Sequence, residues 1–446
     1  MTLVTCCYLE YNLRIAAAHQ RNISSQDPFF NTATISSPLQ NAVCRKLLSI
    51  RKLFSAGNRV VAKNADQHPS DWPPSVYSTN FNLLRWLYAY EGDVELAASK
   101  YRRHLRIRSI LQLDFIEELS ELDGMDVAAD SFAPMTFLGE AGNGDHRVLL
   151  LEQSGKFDLL KIMQTIRTSA FMMNRFRLME RILREIRVSE LRTGQMSSAV
   201  LIIDLQGLKF QPSLVGFISG PYRIMWGTLI EQYPYLISKI LVINAPGFMN
   251  VLWNACCSFI PVEYRKKIHL LGENWAEKLG EHVALESLPT SYGGLRNIDV
   301  PAPSLCLPAN VSAGQLLDET SLDTVTIPAG GTVVHTFYLK EHELLEFYMK
   351  HDQEFTMNIF FTSTKQTIKG QPSGEIKDEL MEEVYAGCER PGLPSLDFWK
   401  WTVPYTGFYH VIFGNEKAWI MSVSIKYQIF QLHQNGSKVK VNPIPA

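Results

Sequence analysis

Three polar residues, Glu152, Asp204 and Asn244, each end a short apolar run: Val148-Leu-Leu-Leu151, Val200-Leu-Ile-Ile203 and Ile240-Leu-Val-Ile243. Continuous apolar or β-branched runs of this length read as strands buried on both faces. The three polar side chains would then meet at the carboxyl edge of a parallel sheet, where open α/β sheets bind ligands. Two carboxylates and an amide there have the chemistry to hold a divalent cation or to move protons, although such residues at strand ends also cap helices and fix loops. Other catalytic patterns are missing: the sequence holds no GxSxG elbow, no Walker A motif and no HExxH. Gly139-Glu-Ala-Gly-Asn-Gly144 precedes a strand instead of leading from one into a helix, so it reads as a turn and not as a phosphate cradle. The seven cysteines form no CxxC, and the pairs Cys6-Cys7 and Cys256-Cys257 have the wrong spacing for tetrahedral zinc. The expectation is a protein with no catalytic residue, no metal and no cofactor.

The elements that must position these residues are set by composition and periodicity. At roughly 150 residues per domain, 446 residues allow about three domains. A hydrophobic fraction of 46% against 20% charged excludes global disorder. The 43 basic and 45 acidic side chains leave a net charge of -2, which makes no global electrostatic claim on nucleic acid. No uncharged apolar stretch approaches the ~20 residues that span a bilayer; the longest, Phe248 to Val262, is interrupted by Asn250 and Asn254. Glu10 and Arg14 fall where a signal peptide would need its apolar core, and the cysteine usage suits a reducing compartment. A cytoplasmic protein, transiently associated with membranes, is expected.

Residues 1–75 read as a basic extension for which no core is evident, with Val43, Leu47, Ile50 and Phe54 at helical spacing opposite Arg45, Lys46, Arg51 and Lys52. Residues 76–115 turn helical: Phe81, Leu84, Leu87, Tyr101 and Leu105 recur at three- and four-residue steps, with Lys100, Arg102, Arg103, Arg106 and Arg108 on a face expected to be solvated. A second arginine-rich helix, Asn174 to Arg192, interleaves Glu180, Glu185 and Glu190, so pairing within the helix is expected. An α/β domain is placed at 130–296, with Leu214 to Gln232 as one crossover helix between parallel strands. Residues 297–320, rich in Pro, Ala and Ser, read as a linker. Over 321–432 the period becomes two: Trp419 to Tyr427 has apolar odd positions, and Met357, Ile359 and Phe361 alternate with polar neighbours. That grammar, interrupted by an acidic loop at Glu375 to Glu383, predicts an antiparallel β-sandwich.

Next to the carboxyl edge the chain turns through Ala245-Pro-Gly247 and runs almost wholly apolar from Phe248 to Ile260. A helix apolar nearly all round is either buried on both sides or covers something apolar. Phe171-Met-Met173 and Ile224-Met-Trp226 add soft, adaptable side chains. On their own these patterns favour a protein core over a ligand wall.

Six signatures in order favour the wall. Arg147-Val-Leu-Leu-Leu-Glu-Gln-Ser-Gly155, Val200-Leu-Ile-Ile-Asp-Leu-Gln-Gly207, Tyr233-Pro234 leading into Ile243-Asn-Ala-Pro246, Lys266-Lys-Ile-His-Leu-Leu-Gly272, Leu288-Pro289 and Tyr292-Gly-Gly294 resemble the CRAL-TRIO lipid-binding family. Leu83-Leu-Arg-Trp-Leu87 resembles its helical lead-in, and Trp401-Thr-Val with Gly407-Phe-Tyr-His-Val-Ile-Phe-Gly414 resembles a GOLD domain, a pairing similar to animal proteins of the supernatant protein factor type. The resemblance implies a multidomain chain: a helical lead-in, an α/β domain with a lipid cavity, then an all-β GOLD sandwich. It implies a gate helix at Phe248 to Ile260 and assigns the lipid site to Ala199, Leu201, Ile203, Tyr235, Phe248, Val251, Leu252, Phe259 and Lys267. Members that bind phosphatidylinositol carry a Glu where Tyr235 stands and a Lys matched by Lys267; members that bind phosphatidylcholine carry hydroxyl side chains where Ala199 and Leu201 stand. Neither headgroup pattern is intact, so the implied cargo is a less polar lipid such as a sterol precursor, tocopherol or another isoprenoid, with a phospholipid as the alternative. The partners expected are that lipid, a membrane surface and a protein partner of the GOLD domain. The competing reading is a trafficking or signalling scaffold whose lipid site is vestigial. A metal-assisted enzyme built on Glu152 and Asp204 ranks behind both.

Overall fold

A computed structural model describes residues 77, 79–116, 130–158, 162, 167–210, 212–257, 260, 262–304, 321–351, 353–366 and 381–445. The extension at 1–75, residues 305–320 of the linker, residues 375–380 of the acidic loop and Phe259 lie outside them. Helices α1 (Asn80–Ala89) and α2 (Val94–Ile110) are each opened by a side chain that takes up N–H groups the helix itself cannot satisfy. Thr79 Oγ1 accepts from Asn82 N at 3.2 Å, and Asp93 Oδ1 accepts from Glu95 N and Leu96 N at 3.1 and 3.0 Å. Leu83, Leu84, Trp86, Tyr101 and Leu105 close the core between them. The basic face of α2 is only partly solvated: Lys100 and Arg106 keep much of their surface exposed, while its side chains also meet partners on other elements. Arg108 is buried against Glu180 and Asp114, Lys100 meets Glu231 at 3.0 Å, and Arg103 and Arg106 face Glu383 of the C-terminal domain at 3.7 and 3.4 Å.

His104 is buried on the same helix, its Nδ1 3.0 Å from Gln232 Oε1; burial first, and the Arg108 charge second, hold its imidazole down at about 3. An unfolded histidine titrates near ~6.5, so below that pH the unfolded chain gains a proton the folded one refuses, and stability falls with acidification by up to about 1.4 kcal/mol per pH unit. His104→Gln is expected to flatten the pH dependence of the urea midpoint from about pH 6.5 down to about pH 5. An unchanged slope would contradict this assignment.

The central sheet has the order β1 (Met135–Gly142), β2 (Asp145–Glu152), β3 (Ala199–Asp204), β4 (Ile237–Ile243), β5 (Ile268–Leu270). Strands β2 to β5 are parallel and contain the three apolar runs, whereas β1 is antiparallel to β2. The glycine-rich stretch supplies their hairpin turn: Asn143 and Gly144 both have positive φ, at 54° and 78°, as a two-residue turn matched to strand twist requires. Helix α3 (Thr168–Thr193) runs back along β2, with Arg175 beside Glu152 at one end and Ser189 Oγ donating to His146 O at the other. The single helix expected over 214–232 is interrupted. A π-helical turn, Ile218–Tyr222, joins α4 (Pro212–Phe217) to α5 (Arg223–Gln232), because Pro221 has no N–H to continue an α-helical ladder. Helices α6 (Met249–Cys256), α7 (Val262–Arg265) and α8 (Trp275–His282) follow. One sheet face packs Leu150, Ala199 and Leu201 under Phe176, Met179 and Met225; the other packs Leu149, Val200 and Leu241 against Leu279 and Tyr292. Four ion pairs of α3 reach other elements, beyond the internal spacing expected: Arg175 meets Glu152, Arg177 meets Asp130, Glu180 meets Arg108 and Glu190 meets Arg85. The helix has neighbours on several sides, so its charges are neutralised across elements.

The C-terminal unit is an antiparallel sandwich. One sheet is ordered β10 (Glu382–Arg390), β9 (Phe355–Thr362), β12 (Gly407–Gly414), β7 (Thr332–Leu339). The other is β11 (Leu393–Thr402), β8 (Leu344–His351), β13 (Val423–Leu432), β14 (Lys438–Val441), with β6 (Asp323–Ile327) also on β13. Phe337, Phe347, Met357, Ile359, Tyr409 and Ile425 fill the space between the sheets. The strand expected from Trp419 begins only at Val423, leaving Trp419 to Met421 in the preceding loop. The opposite face of the first sheet is also covered, with Asn358, His410 and Ile412 buried, and its edge strand β10 packs on α2 and α5; β11, of the second sheet, packs on α3.

That docking completes α3. Its N-cap residue, Arg167, makes no capping bond with its side chain. Asp397 of β11 supplies one, its Oδ1 accepting from Ser169 N at 3.0 Å and from Ser169 Oγ at 2.6 Å while Oδ2 accepts from Arg390 at 3.0 Å. Arg167 lies 4.0 Å over the Phe398 ring and donates to Phe398 O at 2.6 Å. Asp397→Ala removes a buried cap and is expected to cost about 2 kcal/mol in denaturant unfolding. A change within about 0.5 kcal/mol, ordinary for a surface substitution, would show that the contact does not join the two units.

Candidate functional site

At the carboxyl edge of the sheet, the structure brings Asp204 and Asn244 together and keeps Glu152 apart. Asp204 Oδ1 accepts from Asn244 Nδ2 and from Gln206 N, both at 2.9 Å, while Oδ2 accepts from the Tyr292 hydroxyl at 2.8 Å. Tyr292 accepts in turn from Gln153 Nε2 at 2.9 Å; its hydroxyl is pushed above the ordinary phenol range, first by burial. Glu152 is buried against Arg175 at 3.3 Å and accepts from Ser154 Oγ at 2.6 Å. These polar groups are engaged in tying strand ends to the loops that follow. Gly155 belongs to the same construction, since a Cβ there would collide with the Leu205 carbonyl in the loop after β3. Among the described residues no group of three His, Cys, Asp or Glu side chains is placed to hold a metal ion.

Beneath this polar rim lies an apolar wall on the sheet face covered by α3 and α5. Ile203 and Ile240 from the strands, Phe171, Met172 and Met173 from α3, and Tyr222 and Trp226 from the π turn and α5 all pack on one core yet keep accessible surface. Tyr222 is half-buried, and its hydroxyl is pushed well above its usual range, chiefly by burial and then by the Glu152 charge. The Trp226 indole N–H is buried beside it, with the two rings 6.0 Å apart. Of the residues assigned from sequence, Ile203 belongs to this wall, whereas Ala199 and Leu201 are fully buried in the adjoining core.

Helix α6 stands beside the wall, packed on the π turn. It is shorter than the 13 residues expected, and its apolar side chains divide between two directions: Leu252 is 1% exposed and Val251 61% exposed. Phe248, its N-cap residue, meets Phe210 edge-on with ring centres 5.4 Å apart.

Tyr235 and Lys267 lie at the opposite, amino edge, preceding β4 and β5. Lys267 Nζ stands 4.2 Å from the Tyr235 ring centre and 4.4 Å from that of Tyr264, and donates to Ile237 O at 3.2 Å. Two aromatic faces and a carbonyl thus already hold the ammonium. Tyr235 adopts φ 55° to bring its ring there. A polar cleft of about 270 Å³ between α3 and the turn that follows α2, lined by Tyr77, Asp114, Glu180 and Arg187 among others, is separate from the apolar wall.

With this geometry, residues 135–294 match the CRAL/TRIO domain. The chain carries a CRAL/TRIO domain. Residues 310–440 match the F28H7_8_C-like, C-terminal domain, so the sandwich following the CRAL/TRIO domain is also a recognised unit. The chain is 28% identical over 372 residues to CRAL-TRIO domain-containing protein F28H7.8 of Caenorhabditis elegans, covering 81% of this chain and 87% of that protein. It is 27% identical over 220 residues to the phosphatidylinositol/phosphatidylcholine transfer protein SFH7 of Arabidopsis thaliana, covering 48% of this chain and 39% of that one. Among solved structures, that of Sfh5 aligns with a TM-score of 0.42 and 14% identity, over 60% of this chain and 91% of Sfh5. CRAL/TRIO is a family that binds and transfers lipophilic ligands. Among the described residues no helix is long and apolar enough to cross a membrane.

The residues that sequence reasoning missed are those that reach between elements. Arg175, Ser169 and Asp397 sit in ordinary-looking charged or polar positions, and nothing in their local spacing announces the partner. Tyr222 carried a signal, since it follows Pro221 inside an otherwise helical run.

Proposed function

We propose that this chain holds one hydrophobic lipid against the apolar wall of its CRAL/TRIO domain, closes α6 over it as a gate, and carries or presents it between membranes without a covalent step. The observation that supports this most is the set of apolar side chains, Ile203, Ile240, Phe171, Met172, Tyr222 and Trp226, that stay partly accessible beneath covering helices. Side chains of that kind normally fill a core completely. Caging suits the chemistry, because exposing an isoprenoid or acyl chain to water costs about 0.8 kcal/mol per CH₂. Leu252 directed inward and Val251 outward suit a lid that meets cargo on one side and bilayer on the other.

The cargo class in this reading is a weakly polar lipid: a sterol precursor, tocopherol or another isoprenoid. Ala199 and Leu201 offer no hydroxyl to a choline headgroup, and Lys267 is held between Tyr235 and Tyr264 where a phosphoinositide would need it. Contact with membranes is transient and the working compartment is the cytoplasm. Transfer between donor and acceptor phosphatidylcholine vesicles tests the reading, with labelled sterol precursor, tocopherol or phosphatidylinositol as cargo. Faster transfer of an isoprenoid than of phosphatidylinositol is expected. Acceleration of phosphatidylinositol alone would overturn the cargo class, and no acceleration of any would favour a scaffold that recruits protein partners through its GOLD-like sandwich.

A further inference from the structure

Trp419, Ile420 and Met421 stand on the loop between β12 and β13 with 96%, 89% and 66% of their surface exposed. The sandwich core closes without them. The loop that presents them is fixed at its base. Asn415 is buried, and its Nδ2 donates to Met421 O at 2.9 Å and to Pro328 O at 3.4 Å. Asn415 also exchanges backbone bonds with the turn between β6 and β7: Gly330 N donates to Asn415 O at 3.1 Å, and Asn415 N to Gly331 O at 2.9 Å. Three large apolar side chains are thereby held out into water at a set position.

Strand register says which way they point. Gly414 pairs with Thr356 and Thr332, and Arg390 with Phe355, so the tip shares one end of the sandwich with the β8–β9 and β10–β11 turns. That end meets the first turn of α3 through Asp397 and the first residue of α5, where Arg223 donates to Glu354 at 2.7 Å. Both helices start at the carboxyl edge of the parallel sheet and run back to its amino edge. At the other end of the sandwich, Glu383 faces α2, whose His104 reaches Gln232 at the close of α5. The tip and the carboxyl edge that carries α6 therefore belong to the same end of the molecule. Val251 of α6 and Phe210, 51% exposed, add apolar surface at that edge.

We infer that Trp419, Ile420 and Met421 enter the interfacial layer of a lipid bilayer and dock the protein with α6 turned toward the membrane. The inference rests on the lipid-carrier reading, which requires the gate to reach a bilayer. A fluid bilayer suits a convex tip of three residues, far smaller than the ~20–30 residues per side of a stable protein interface. The tryptophan ring is amphipathic and favours the headgroup boundary. Glu416 and Lys417 flank the tip with opposite charges, Lys417 meeting Glu389 at 3.0 Å, so burial and not charge drives the association.

The full chain and the triple variant Trp419→Ser/Ile420→Ser/Met421→Ser are compared by co-sedimentation with vesicles of phosphatidylcholine, alone and with phosphatidylserine, at low and raised salt. Cargo per chain is counted in parallel by native mass spectrometry, and mass in solution by ultracentrifugation. The wild type is expected to bind both vesicles with little response to salt. The variant should partition about thirtyfold less while retaining its bound lipid. Partitioning within about threefold of wild type would overturn the inference and leave the lipid-carrier reading standing. A wild type that carries and takes up no lipid, beside a variant that loses vesicle binding, would remove the carrier reading and keep the docking tip. A wild-type dimer that the variant turns into monomer, with vesicle binding unchanged, would assign the tip to a second copy of the chain and overturn the inference.

Discussion

Leu252→Asp is expected to reduce vesicle-to-vesicle transfer to the spontaneous rate while the C-terminal sandwich stays folded. Leu252 is buried on α6, beside an apolar wall, and belongs to none of the principal cores that hold the two domains together. The substitution forfeits about 1.5–3 kcal/mol of leucine burial. It also places a carboxylate at a fully buried position, which adds several kcal/mol against the closed position. The closed gate is the state that must pay this penalty, so the helix opens and the cargo site loses its cover. Because Asp397, Arg167 and the sandwich core are distant in contact terms, the near-ultraviolet circular dichroism of the sandwich aromatics should persist. Undiminished transfer would contradict the assignment of α6 as gate.

Arg108→Ala carries the largest expected effect on stability. The guanidinium is buried, holds both carboxylate oxygens of Glu180, one at 3.0 Å, and also meets Asp114 at 2.7 Å and the Tyr77 hydroxyl. The Tyr233 hydroxyl donates to the same Glu180 and is itself raised well above its normal range by burial and by that carboxylate. Removing the arginine leaves a buried negative charge in the middle of α3, and about 3–5 kcal/mol should be lost from denaturant unfolding. Arg108→Lys should recover little, because a single ammonium cannot reproduce the two-pronged contact. The double variant Arg108→Met/Glu180→Leu should recover most of the loss, since hydrophobic replacement of a buried pair is often neutral. A single-variant loss below about 1 kcal/mol would mean that the pair is solvated.

The parts of the fold legible in sequence were those that periodicity controls. The three buried strands, the helical lead-in and the two-period sandwich all follow from which positions must avoid water, and the strands contain Val148–Leu151, Val200–Ile203 and Ile240–Ile243. The failures have separate physical causes. The crossover helix widens into a π turn around Pro221, because its missing N–H cannot continue the α-helical ladder even under a continuous apolar pattern. Trp419 and Met421 kept the alternation of the strand that follows them, yet they sit in a loop clamped by Asn415, a contact 6 residues away from Met421 that no period encodes. The arginines of α2 and α3 looked like solvated or self-paired faces; their partners, Glu383, Asp130 and Glu152, lie on other elements. The candidate site was legible in the same uneven way. The apolar runs containing Ile203 and α6 were visible in the sequence, whereas the aromatic hold on Lys267 needs Tyr235 and Tyr264 brought together in space.

Whether the CRAL/TRIO domain of this chain holds a lipid is read by native mass spectrometry of the purified full chain, followed by organic extraction and identification of what is released. One lipid per chain is expected, released on unfolding and identified as a weakly polar isoprenoid. A chain that is lipid-free as purified, and that takes up no lipid from vesicles, would contradict that expectation.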